Sequence, residues 1–156
     1  MGVTVEVTGG DKYKKLLSEL AKMKLGVKAG IFSNATTTDG KSIAEYAIYN
    51  EFGTANIPPR PFMRTTAKDK GQKWGKVIAA AVQGKTKERA AWKRAVVLCG
   101  ESMKADIQNT IQNGSFAPNA PATVEAKTRK GKIEPDHPLI DTGQMLAAVN
   151  YEVIEE

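Results

Sequence analysis

The sequence predicts an α+β fold in which a small, mainly antiparallel sheet packs with a long helical hairpin, shorter helices and an extended proline-rich loop. Three observations support this prediction. Valines alternate with polar residues near both ends of the chain, a pattern typical of half-buried strands. Two long central segments repeat apolar residues at helical spacing. Four prolines interrupt residues 113–138. We expect residues 1–156 to form a single domain.

The N-terminal part of the chain predicts two strands and a helix. Alternation over residues 3–7 indicates the first strand, and residues 27–32 the second. Between them, residues 11–25 have the spacing of a helix, with Gly26 placed to end it in the left-handed conformation. The small polar residues 33–41 predict a mobile loop.

A second helix is expected to begin at Ser42, because Ser42 and Glu45 form an S-x-x-E capping box. Gly53 is expected to end this helix. Its apolar face is assigned to Ala44, Ala47, Ile48 and Phe52. The proline-rich residues 57–61 must then be extended, with Pro61 as the first residue of the next helix.

Two long helices, over residues 61–82 and 86–112, follow and are expected to pack as an antiparallel hairpin. The first has a buried stripe of Met63, Ala67, Trp74, Val77, Ile78, Ala81 and Val82. The second has a stripe of Trp92, Val96, Cys99, Met103, Ile107 and Ile111. Both stripes advance mostly in steps of three and four residues, which places them on one face of each helix.

Residues 113–138 are expected to form a second mobile loop, interrupted by a short helix over residues 123–129 with Thr123 as its cap. A further short helix over residues 144–148 and a closing strand from Val149 complete the prediction.

The charge is unevenly distributed. The whole chain has 23 cationic and 17 anionic side chains, a net charge of +6. Residues 60–94 alone contain 11 cations and two anions, a net charge of +9, which leaves −3 for the rest. Lys68, Lys73 and Lys76 lie opposite the apolar stripe of their helix. This charged face indicates contact with an acidic protein surface or with DNA, or it is simply a solvated helix face.

Several classes of protein are disfavoured by composition and motifs. The chain has one cysteine and one histidine, so zinc sites built from several such residues are excluded, and the lone Cys99 suits a reducing compartment. We expect neither a membrane span nor a signal peptide, because the apolar runs are too short. Phosphate-loop, dinucleotide and hydrolase motifs are missing. We expect no cofactor, and Asp136, His137 and Asp141 are the only candidates for a small hydrolase.

Three stretches are more constrained than a generic domain requires. They cover residues 46–54 (YAIYNEFGT), 57–64 (IPPRPFMR) and 138–146 (PLIDTGQML). In the first two, Glu51 beside Arg60 or Arg64 predicts an ion pair that fixes the proline-rich corner. Between subunits the same charges would set the register of the contact.

Those stretches resemble the head–tail joining proteins of long-tailed bacteriophages, also described as neck, tail-completion or virion morphogenesis proteins. The family pattern is a strand ending in V-x-x-G-I-F, a helix ending in Y-A-x-x-N-E-F-G-T, an I-P-x-R-P-F-x-R corner, a helical hairpin and P-L-I-D-T-G-x-[LM]. Here these motifs correspond to residues 27–32, 46–54, 57–64 and 138–146. The resemblance covers residues 25 to 156, and Met145 stands where many relatives have leucine.

The resemblance implies a structural virion protein rather than an enzyme. Such proteins form a ring, expected here to be six-fold, between the portal or connector and the tail tube, and DNA passes through the lumen. The expected partners are further copies of the chain, head-completion or connector proteins, and the tail terminator or tail tube. The expected location is the virion, with the host cytoplasm during assembly, and no membrane is involved.

The subunit interface is assigned to the constrained stretches. Its expected members are Asn50, Glu51, Phe52, Arg60, Phe62, Arg64 and Asp141. Most of the cations at 60–94 are expected to face protein neighbours or outer solvent rather than the lumen, with acidic partners supplied by the rest of the chain. The alternative function is a basic nucleic-acid-binding accessory protein.

Overall fold

The computed structural model describes residues 10–85 and 87–156, so the strand predicted over residues 3–7 lies outside the described residues. The fold is α+β, as predicted. In chain order its elements are α1 (Asp11–Lys22), β1 (Leu25–Ile31), α2 (Ile43–Phe52), α3 (Phe62–Val82), α4 (Arg89–Asn113), α5 (Pro121–Arg129), α6 (Gln144–Ala147) and β2 (Val149–Glu155).

Strands β1 and β2 pair antiparallel, with Leu25 opposite Glu155 and Ile31 opposite Val149. The sheet packs against α4, and α4 packs along α3, so α4 lies at the centre of the fold. The predicted stripe of α4 is confirmed, since all six of its members are buried. On α3, the stripe residues Met63, Trp74, Ile78 and Val82 are buried, and the others are partly buried.

The predicted end of α1 is wrong. The helix stops at Lys22, and Lys24 rather than Gly26 has the positive φ, 51°. Gly26 instead lies inside β1, opposite Ile154. The reason is tertiary: Leu25 is buried in the core, and pairing with β2 stabilises an extended backbone where the local pattern favours a helix.

Two other helix starts differ from the prediction. Helix α3 begins at Phe62, with Pro61 immediately before it. Helix α5 begins at Pro121 rather than Thr123, so a proline occupies its first position and Ala120 precedes it without a side-chain cap. Proline suits that position because its missing N–H has no intrahelical partner there. The predicted Ser42 cap is confirmed, since Ser42 Oγ accepts from the Glu45 amide at 3.2 Å.

Gly100 on α4 allows the closest approach between the hairpin and the sheet. A Cβ atom at this position would lie 2.3 Å from Cδ2 of Tyr151 on β2. The Tyr151 hydroxyl donates to Glu101 on α4 at 2.8 Å, so moving the ring aside would also disturb this hydrogen bond.

We predict that Gly100→Ala destabilises the fold by about 1–2 kcal/mol, because overpacking outweighs the gain in helix propensity. The control is Gly26→Ala, whose Cβ would meet Ile154 at an ordinary 3.7 Å. Urea unfolding of both variants measures the difference. Equal stability of Gly100→Ala and the parent chain would contradict the packing described.

Candidate interaction surface

Glu51, at the end of α2, is fully buried and joins α2 to the start of α3. Its Oε2 accepts from the Met63 amide at 2.8 Å, and its Oε1 accepts from the Arg64 amide at 3.1 Å. These amides belong to the first turn of α3, where N–H groups have no intrahelical partner. Pro61 offers no capping side chain, so Glu51 caps α3 from another helix.

Arg64 completes this corner on its outer side. Its Nε donates to Glu51 Oε1 at 2.9 Å, and its Nη2 donates to the Glu51 carbonyl at 2.9 Å. The guanidinium also lies over the ring of Phe52, 4.7 Å from its centre, a cation–π arrangement. The predicted Glu51 ion pair is therefore confirmed with Arg64.

Arg60 is buried, like Glu51, but it does not pair with that carboxylate and has a different set of partners. Its Nε donates to the Ala117 carbonyl at 2.8 Å, and its Nη2 donates to the Pro118 carbonyl at 2.9 Å. Asn50 holds it from the other side, through Oδ1 at 3.3 Å and through a carbonyl that accepts from the Arg60 amide at 2.6 Å. Burial lowers the pKa of the guanidinium. Arg60 thus ties the corner to the segment after α4.

The rest of that segment is tied down by two further polar side chains. Asn119 Nδ2 donates to the carbonyls of Pro135 and His137 at 3.3 and 3.1 Å. Lys127 Nζ donates to the carbonyls of His137 and Ile140 at 2.8 and 2.7 Å, and burial lowers its pKa. The mobility expected for residues 33–41 and 113–138 stays a prediction about the free subunit.

The residues predicted for the subunit interface separate into two groups. Asn50, Glu51, Arg60 and Phe62 are buried inside the protomer, so their side chains offer no surface to a neighbour, and their role is to build the corner. Phe52, Arg64 and Asp141 are exposed. Of the residues predicted for the subunit interface, only Phe52, Arg64 and Asp141 therefore remain available to contact a neighbouring subunit.

The apolar face predicted for α2 is partly wrong, because two of its four residues lie on the exposed side of the helix. Ile48 and Phe52, assigned to the apolar face, are exposed together with Tyr49, whereas Asn50 and Glu51 are buried. Tyr49 donates its hydroxyl to Glu45, and this hydrogen bond raises the tyrosine pKa. The sequence pattern did not predict that Tyr49 lies on an exposed apolar face, because the buried side of α2 is formed partly by the polar residues Asn50 and Glu51. The result is an exposed apolar and aromatic face.

The basic face is partly neutralised within the chain. Arg64, Lys73, Arg89 and Lys93 lie within 4.0 Å of carboxylates, respectively of Glu51, Asp106, Glu155 and Glu155. Within the protomer, carboxylates outside residues 60–94 therefore pair with some of these cations, and the expectation that such carboxylates also meet them between subunits stays a prediction. Asp106 holds Lys73 at 2.7 Å and also accepts from Trp74 Nε1 at 2.8 Å. Lys73 is therefore tied to α4, although its side chain is 52% exposed. Lys68 and Lys76 are exposed as well.

The three candidates for hydrolytic chemistry do not meet at one place. Asp136 and His137 line a cleft beside the end of α4. Asp141 lines a separate cleft of about 310 Å³ between residues 37–46 and 139–145. His137 Nε2 lies 2.8 Å from the Gln112 carbonyl, and Asp141 is 3.9 Å from Lys132. Within residues 10–85 and 87–156, no cluster of three or more metal-ligating side chains is found.

The described helices contain none that is both long and apolar enough to span a bilayer. Comparison with known proteins found no matching family model, no matching curated protein and no matching solved structure.

We predict that Glu51→Ala destabilises the protomer by about 3 kcal/mol, because it removes a helix cap and leaves two amides without partners. Arg64→Ala should cost about 1 kcal/mol or less, since that side chain is 56% exposed. Denaturant unfolding of both variants tests whether Glu51→Ala lowers the free energy of unfolding more than Arg64→Ala does. A larger effect of Arg64→Ala would contradict the capping role of Glu51.

We also predict that Arg60→Ala loosens residues 113–120. The carbonyls of Ala117 and Pro118 would lose their donor, and the stability loss should be about 2 kcal/mol. Limited proteolysis with mass spectrometry should detect faster cleavage in that range. Arg94→Ala, at an exposed position, is the control. Equal cleavage rates of the two variants would contradict the conclusion that Arg60 holds residues 113–120 in place.

Proposed function

We propose that this chain is a structural virion subunit that forms a ring at the head–tail junction of a long-tailed phage. In this role it joins the portal or connector to the tail tube and lines the DNA path. Its partners are other copies of the chain, head-completion or connector proteins, and the tail terminator or tail tube.

The observation that carries the proposal is the meeting of the three constrained motifs in one structural unit. Residues 46–54 and 57–64 are joined through Glu51 and Asn50. Residues 138–146 share a cleft with Tyr46, which Leu139, Asp141 and Met145 also line. Burial and the nearby Asp141 carboxylate raise the pKa of Tyr46. Motifs far apart in sequence thus lie next to one another in the fold, which favours a shared role.

The surface properties of the corner fit assembly better than catalysis. Its buried charges are used in hydrogen bonds that hold elements together, and its exposed side is the apolar and aromatic face of α2 beside Arg64. Exposed apolar patches on rigid elements are typical of protein-binding surfaces. The clefts that contain Asp136, His137 and Asp141 lack a converging set of reactive groups.

The alternative of a nucleic-acid-binding accessory protein rests on the exposed cations of the hairpin. Lys68 and Lys76 are exposed, and neither lies within 4.0 Å of a carboxylate in the part of the chain that the structure describes. Positive charge of this kind attracts any polyanion without specifying one. It is also compatible with acidic neighbours in a ring.

We predict that the purified chain, alone or with tail tubes of the phage that encodes it, forms rings or tail-end caps. Native mass and negative-stain microscopy measure this outcome. The double variant Lys68→Glu with Lys76→Glu should impair assembly and leave any DNA binding weak. If instead the chain stays monomeric and binds DNA, with a salt dependence that this variant makes shallower by about 2 in log–log slope, the accessory function is correct.

A further inference from the structure

The exposed face of α2 is a preformed apolar surface. Ile48, Tyr49 and Phe52 lie along it, while Ala47 and Glu51 are buried on the opposite side. Both ends of the helix are fixed, by the Ser42 cap and by the Glu51 hydrogen bonds to α3. A partner would therefore meet this face without first ordering it, which lowers the entropic cost of binding.

Charges of opposite sign flank this face. Glu45 lies toward the start of α2 and accepts from the Tyr49 hydroxyl. Arg64 lies at the other end, over the Phe52 ring, with its direction set by two hydrogen bonds to Glu51. Along the helix, the surface therefore consists of an acidic residue, Glu45, an apolar and aromatic centre, and a basic residue, Arg64.

A second exposed feature also places an apolar side chain between a basic and an acidic residue. Ile133 is 98% exposed, in the loop that follows α5, and its sequence neighbours are Lys132 and Glu134. The loop is compact: the Lys132 amide donates to the Lys127 carbonyl at 3.2 Å, and the His137 amide donates to the Glu134 carbonyl at 3.1 Å. This tip, residues 132–134, therefore has an exposed isoleucine between a base and an acid. The base, Lys132, also lies 3.9 Å from Asp141 of its own protomer and is 30% exposed.

We propose that the tip of one copy of this chain docks on the α2 face of a second copy. Ile133 would pack on Tyr49 and Phe52, with Lys132 toward Glu45 and Glu134 toward Arg64. The occupant is argued from charge: the same chain exposes two features that each carry one acid and one base beside an apolar centre, and one orientation of the tip sets Lys132 against Glu45 and Glu134 against Arg64. This inference deepens the proposed ring function and rests on it.

Such a contact joins two different surfaces. Ile133 is almost fully exposed in its own protomer, so the tip does not fill the α2 face of the same chain. A pair of docked copies leaves one face and one tip free, so further copies can add, and the chain of copies closes into a ring when the rotation between neighbours allows it. The contact area is small, so binding between free subunits should be weak and is best detected by covalent trapping.

The test is disulfide trapping between two separately purified full-length chains, one carrying Phe52→Cys and the other Ile133→Cys. The native Cys99 interferes little, because it is buried and burial raises its pKa to about 11. The control replaces Phe52→Cys by Leu98→Cys, since Phe52 and Leu98 are each 53% exposed. We expect the 52–133 disulfide to form about tenfold faster than the 98–133 disulfide, because docking raises the local thiol concentration.

Equal rates for the two pairs would overturn the proposal. Tyr49→Cys provides a second position on the same face, and its trapping with Ile133→Cys must also exceed the Leu98→Cys control. Circular dichroism of each variant confirms that it is folded. If Phe52→Cys does not fold, the Tyr49→Cys pair decides the outcome.

The order of charges has its own test. Glu45→Lys in the chain with Phe52→Cys should slow trapping, and Lys132→Glu in the chain with Ile133→Cys should restore it. Failure of the reversed pair to restore the rate would overturn the proposed orientation.

The contact and the virion function fail in different ways. Preferential 52–133 trapping by a chain that forms neither rings nor tail-end caps would support the contact and overturn the ring function. Rings without preferential trapping would support the ring function and overturn the contact.

Discussion

The buried carboxylate of Glu51 accepts hydrogen bonds from the Met63 and Arg64 amides and so joins the end of α2 to the start of α3. This contact sets the geometry of the proline-rich corner. Gly53 makes the corner possible, because its φ of 77° suits glycine and a Cβ would lie 2.8 Å from the Ile57 carbonyl. The direction of Arg64, and through it the surface beside Phe52, depends on the same carboxylate.

Arg60 is the complementary buried charge, and within residues 10–85 and 87–156 its hydrogen-bond partners are carbonyl and amide oxygens rather than carboxylates. Carbonyl groups of Asn50, Ala117 and Pro118 surround its backbone and side-chain donors. A buried cation is tolerated only when such acceptors replace its hydration. The consequence is that one short segment, residues 60–64, connects α2, α3 and the proline-rich segment after α4. Three of the buried polar residues, Asn50, Glu51 and Arg60, thus meet at this corner.

The use of charge differs across the molecule. At the corner, opposite charges are buried and fix the backbone, whereas on the hairpin Lys73 reinforces helix packing through Asp106. On the outer surface, Glu45 and Arg64 flank an apolar face, and Lys132 and Glu134 flank an exposed isoleucine. The outer-surface arrangement places charged and apolar side chains side by side, which is the combination that protein contacts need, although Arg64 and Lys132 are also paired within the protomer, with Glu51 and Asp141.

The sequence by itself determined the helical hairpin and the Ser42 and Gly53 ends of α2, because local periodicity and capping residues specify such features. It indicated a small, mainly antiparallel sheet, but the pairing of β1 with β2 came from the structure. It also indicated that Glu51 pairs with an arginine. Only the tertiary structure decided which arginine, that Ile48 and Phe52 lie outside while Asn50 and Glu51 lie inside, and that α1 ends before Leu25. These outcomes depend on hydrogen bonds and packing between distant residues, such as Arg60 and Pro118, which are 58 positions apart. A local pattern carries no information about such partners, so the hydrogen bonds of the buried polar corner could be assigned only from the tertiary structure.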